Sequence, residues 1–250
     1  MLSFPLRFWR IFALLAFVFL AGCAQAPKKV DLDKTVGEKI KKIVVLQVKE
    51  PKRIVIMGSA GQQLGISFLL GPMIGGAINN AVINSRSEIF AKELNDRSIK
   101  IGPLVANTLQ EKLRQQGFEV VYLPNESVRL TSDGKEDDYS HIKTDADAIL
   151  NVWLNVVGYT LPPSSDDYQP WLSVGARLLD TKTKKVLYFR IFNIGSEFVN
   201  NEDIETLSSN EKYRYDSFDA LIMRFDQAVE GIENSQEKVV NRIVQQISQK

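Results

Sequence analysis

Between residues 148 and 157 every even position is apolar: Ala148, Leu150, Val152, Leu154 and Val156. The odd positions include Asn151, Trp153 and Asn155. A period of two belongs to a β-strand with one core face and one mixed face. Two further strand-like runs follow, at 170–179 and 186–194, on either side of the polar segment Asp180-Thr181-Lys182-Thr183-Lys184-Lys185. That arrangement predicts an antiparallel hairpin. Three such strands in close order commit the chain to a sheet, and the apolar face of a sheet must be covered by a second layer.

The end of the chain supplies a cover. From Ser217, Phe218, Ile222, Phe225, Val229, Ile232, Val239, Ile243 and Ile247 recur in steps of three and four residues, with Gln236 in the one polar slot. This is the stripe of a long helix laid across a sheet, although a coiled-coil seam has a similar spacing. Gly231 and Asn234-Ser235 mark where such a helix would divide. Upstream, the β-branched run at 43–48 predicts a buried strand bounded by Pro51, and residues 53–57 a second strand or an extension of the first. A helix is expected from Gly71-Pro72, with Ile74, Ala77, Ile78, Ala81, Val82 and Ile89 on its apolar stripe. Gly102-Pro103 opens another, with Val105, Ala106, Leu109 and Leu113 on one face and Gly117 as its stop. A strand at 118–122 and a polar, acidic surface loop at 125–145 complete the order. The expected fold is α/β (α+β): a mixed sheet of about five strands, helices mainly on one face, and a long C-terminal helix.

The first 23 residues serve targeting. Arg7 and Arg10 precede the uncharged apolar run at 11–20, which is too short to span a bilayer. Leu20-Ala21-Gly22-Cys23 closes the run, and Cys23 is the single cysteine of the chain. These residues resemble the lipobox of bacterial lipoproteins. The resemblance implies a signal peptide over 1–22, cleavage before Cys23, a diacylated (palmitate-type) thiol and an acylated amino group. Two or more acyl chains anchor stably where one is marginal. Ala24 stands where Asp is the usual inner-membrane retention signal in enteric bacteria, so the resemblance implies the outer membrane, with the domain facing the periplasm. Residues 23–42 are expected to be a lipidated tether and 43–250 a single periplasmic domain. The order of elements is similar in topology to penicillin-binding-protein-activating lipoproteins, the curli secretion channel and the N-terminal domain of the Tol-system propeller protein. The stretch Pro72-Met73-Ile74-Gly75-Gly76-Ala77-Ile78 also resembles a group of bacterial lipoproteins without assigned chemistry.

Composition narrows the chemistry. With 31 Lys and Arg against 30 Asp and Glu, the chain has no bulk attraction for nucleic acid. One Cys and one His cannot build a zinc site. His141 follows Ser140 in a polar loop, near Asp145, and reads as a solvated histidine rather than the base of a hydrolase. Glu136-Asp137-Asp138 lacks the ligand spacing of a calcium loop, and no phosphate-binding Gly-rich motif with its lysine occurs. No cofactor is expected.

Residues 54–85 contain no charged side chain over 32 positions and hold 6 of the 15 glycines. Leu64, Phe68, Leu69, Leu70 and Met73 are the candidate membrane- or partner-contact residues of that stretch. The leading expectation is a non-enzymatic binding or assembly module for an envelope protein complex, held to membrane lipid through Cys23. The alternative is an oligomerising channel or secretion-type subunit whose uncharged segment touches or enters the membrane.

Overall fold

The computed structural model describes residues 28–58, 85–134, 136–162, 164–195 and 202–248. In chain order they form α1 (Lys34–Gly37), β1 (Lys42–Leu46), β2 (Ile54–Met57), α2 (Ser85–Asp96), α3 (Ile101–Gln115), β3 (Glu119–Leu123), β4 (Arg129–Leu130) and β5 (Asp137–Asp138). The chain continues through β6 (Ala148–Thr160), β7 (Gln169–Asp180), β8 (Val186–Ile194), β9 (Ile204–Leu207), a 3-10 turn (Glu211–Tyr213), α4 (Phe218–Met223) and α5 (Phe225–Ile247).

Seven strands make one mixed sheet in the order β3-β1-β6-β7-β8-β9, with β2 pairing β6 beyond the end of β1. The expected hairpin is present: β6, β7 and β8 run antiparallel to one another. The pairs β1–β3, β1–β6, β2–β6 and β8–β9 are parallel. The sheet is wider than about five strands because residues 54–57 form a separate strand and the four-residue β9 pairs with β8.

The helices gather on one face. Phe90 and Leu94 of α2, Val105, Leu109 and Leu113 of α3, and Ile232, Val239 and Ile243 of α5 share a core with Ala148, Leu150 and Val152 of β6. Helix α3 starts where Gly102-Pro103 was expected to open it, for a local reason. The Glu50 carboxylate accepts from the Ile101 and Gly102 amides, both at 3.1 Å, placing a negative charge on the N-terminal end of the helix. Gly117 at φ 86° stops it.

Three expectations shift. The even-position rule of β6 fails at a bulge between Leu154 and Val156. Beyond the bulge Val156 turns to the other face, while Val157 and Tyr159 continue the helix-side core. The long helix does not divide at Gly231 or Asn234-Ser235. It breaks at Arg224 (φ −107°, ψ 42°), between α4 and α5, and then runs unbroken for 23 residues. Ile89 does not belong to a buried stripe: it is 44% exposed, and α2 buries Ser87, Phe90 and Leu94 instead. Positions 74–84 of that expected helix lie outside the described residues.

The helix-free face is not bare. Tyr139 and Ile142, from the segment expected to be a surface loop, and Ala146 just beyond it are buried against Val44, Leu46, Ile149 and Leu179. A two-rung ladder between β4 and β5 shapes that cover.

Candidate functional site

Strands β6, β7 and β8 bring a charged and aromatic group together on the helix-free face. Arg177 sits in β7 opposite Asn151 of β6 and Phe189 of β8, and it is only 7% exposed. One of its Nη1 hydrogens goes to Asp137 of β5, and the same nitrogen donates to the Tyr139 hydroxyl at 3.2 Å. The Asn151 amide donates to that hydroxyl as well, at 3.3 Å. The guanidinium lies 5.7 Å from the Trp153 ring centre and 5.3 Å from that of Phe189. The two rings are stacked at 6.2 Å. The arginine is therefore paired with a carboxylate and packed against two aromatic rings, which is the setting a desolvated cation needs.

Gly175 admits the indole. A Cβ there would stand 2.2 Å from Cε2 and Cζ2 of Trp153, its register partner, so only glycine lets the ring lie down on β7. The Trp153 Nε1–H is buried without a hydrogen-bond partner. Burial pushes the Tyr139 hydroxyl above its ordinary pKa, with Arg177 opposing, so it stays protonated near neutral pH. An arginine and a protonated phenol exchange no protons at that pH. The cluster is thus suited to positioning and contact.

A second polar group staples the β8–β9 edge of the sheet. The amide and carbonyl of Val30 exchange two 2.9 Å hydrogen bonds with Phe189. The Lys29 amide donates to Asp203 Oδ1 at 3.0 Å, and Asp31 pairs with Arg190. On the same edge Glu205 of β9 pairs with Arg242 of α5 and accepts from Gln246 at 2.7 Å. Gln246 in turn accepts from the Tyr188 hydroxyl at 2.7 Å. Within the expected tether 23–42, Leu32 packs on the main core and Ile40 is buried in it, so residues 29–40 are joined to the fold.

The residues singled out earlier are dispersed. His141 Nε2 faces the Ser127 carbonyl at 3.1 Å and Glu126 at 3.6 Å, whereas the Ser140 amide is bonded to Asp138 at 2.8 Å. Asp145 pairs with Lys42 at 2.9 Å, not with His141. Asp137 is used by Arg177, so the acidic run 136–138 does not act as a unit; no group of three potential metal ligands occurs among the described residues. Cys23, Leu64, Phe68, Leu69, Leu70 and Met73 lie outside the described residues. The cluster around Arg177 was not anticipated. Its signals were an arginine inside an apolar strand and a glycine two positions before it.

No helix among the described residues is long and apolar enough to cross a membrane. No protein-family model matches the sequence, and no curated protein does. Several solved structures are similar over most of their length. A PelC dodecamer from Paraburkholderia phytofirmans is 9% identical, with 89% of this chain and 93% of that one covered at a TM-score of 0.34. Protein XCC0632 from Xanthomonas campestris, of family model DUF330, is 8% identical, covering 88% and 90% at 0.37. Lipoprotein GNA1162 from Neisseria meningitidis is 14% identical, covering 77% and 99% at 0.21. At TM-scores this low, these likenesses assign neither a family nor an activity to the chain.

Proposed function

We propose that this chain is a lipid-anchored, periplasm-facing module of the outer membrane that binds or positions a protein partner in an envelope assembly, without catalysing a reaction. The observation that carries the reading is the placement of the single cysteine. Cys23 ends a short apolar run at Leu20-Ala21-Gly22-Cys23, where lipidation and cleavage require it. Docking of Lys29 and Val30 onto the body, a few positions after that cysteine, supports the same reading. Leu64, Phe68, Leu69, Leu70 and Met73 are the proposed contact residues for the partner.

Cys23→Ala tests the anchor. In cells fed a fatty-acid probe, the wild type should carry label and remain with the outer-membrane fraction. The variant should be unlabelled and either soluble or unprocessed. Equal labelling of both forms would overturn the reading. Crosslinking in intact cells followed by capture tests the partner: the same envelope protein should return from wild type and be lost from Leu70→Asp. Repeated capture without any partner would remove the binding role.

A further inference from the structure

We infer that the sheet edge built from residues 29–32, β8 and β9 is the surface held against the phospholipid headgroups; the inference rests on Cys23 carrying the lipid. The first described residues determine the reach of the anchor. Val30 is locked to Phe189 by two backbone hydrogen bonds, the Lys29 amide is bonded to Asp203, and Asp31 is paired with Arg190. Only Ala24, Gln25, Ala26, Pro27 and Lys28 separate Cys23 from this docked segment. Five residues span at most about 17 Å, and Pro27 stiffens part of that span. A tether running to residue 42 would have reached about 65 Å and left the domain free to tumble. The short leash does not.

The sheet converts that leash into an orientation. The order β3-β1-β6-β7-β8-β9 puts β3 five strand spacings from β9, or about 24 Å across the sheet. The edge carrying the leash is confined to the headgroup region, and β3 with the adjoining α3 is directed away from it. Lys28 and Lys29 are exposed where the leash leaves the fold, so the cationic groups nearest the bilayer are suited to lipid phosphates. The partner assigned to this edge is the lipid surface itself.

The test uses the mature, full-length lipoprotein in vesicles of phosphatidylethanolamine and phosphatidylglycerol that carry a headgroup quencher. Acylation consumes the native thiol, so one introduced cysteine is a unique label site. Thr206 on β9 and Glu119 on β3 are both exposed strand positions. A fluorophore on Thr206→Cys should be quenched at least ~3-fold more than one on Glu119→Cys, given the width of the sheet. Inserting about twenty Gly/Ser residues between Gln25 and Ala26 should abolish the difference. Equal or reversed quenching in acylated protein would overturn the orientation alone, and a difference that survives the insertion would overturn the leash as its cause. A mature chain without acyl groups would overturn the anchor, and the orientation with it.

Discussion

Gly175 and Trp153 show how one missing methyl group shapes a surface. The indole occupies the space where any other residue at position 175 would place its Cβ. It thereby forms one wall around the Arg177 guanidinium. Gly175→Ala should force the indole to move and cost about 1–3 kcal/mol in urea unfolding, the usual range for overpacking. Adding Trp153→Ala should return part of that loss, giving a coupling of about 1 kcal/mol or more in a double-mutant cycle. Strictly additive effects would mean the ring does not depend on the glycine. The same residues explain why the cluster was hard to see in sequence. Arg177 and Asp137 are forty positions apart, and only the strand register brings the Asp137 segment over β7.

At the scale of elements, legibility followed periodicity. The stripe from Phe225 to Ile247 and the alternation of Ala148, Leu150 and Val152 were readable because every member contacts one core. Ile204-Glu205-Thr206-Leu207 was not readable: four residues carry too little pattern, and β8 alone defines them as a strand. Tyr139 and Ile142 were hidden for another reason. They are isolated apolar residues in a polar run, and they are buried by the sheet beneath them rather than by neighbours in sequence. Gly231 was misread because a glycine inside a helix usually signals weakness. Here it provides clearance, since a Cβ would lie 2.5 Å from the Tyr159 hydroxyl and 2.8 Å from Tyr213 Cβ. Gly231→Ala gains about 1 kcal/mol in helix propensity. It should nevertheless lower the urea midpoint, because separating α5 from Tyr159 and Tyr213 costs about 1–3 kcal/mol. An increase in stability would show that those side chains yield easily.

For the whole molecule, buried phenols set an upper pH limit. Burial pushes the Tyr159 and Tyr188 hydroxyls well above the ordinary tyrosine value, and Tyr159 also donates to the Ala228 carbonyl at 2.8 Å. In the unfolded chain both ionise near pH ~10, while in the folded chain they remain protonated. The unfolded state then binds fewer protons, so stability is intact below about pH 10 and declines as pH rises toward the folded-state pKa values. Each such group adds a slope approaching about 1.4 kcal/mol per pH unit. Tyr159→Phe should be less stable at pH 7 through loss of its hydrogen bond, yet its unfolding free energy should fall less steeply above pH ~10. Parallel curves for the two proteins would show that Tyr159 does not carry the dependence.

The bond from Lys29 to Asp203 spans 174 residues, and that separation imposes an order in time. In a chain that emerges N-terminus first, residues 29–32 have no docking site until β8 and Asp203 have also emerged. Until then they are an unseated end of the chain, and once the sheet closes they are pinned to its β8–β9 edge. Completion of the fold thus acts as a late latch on its own N-terminal segment.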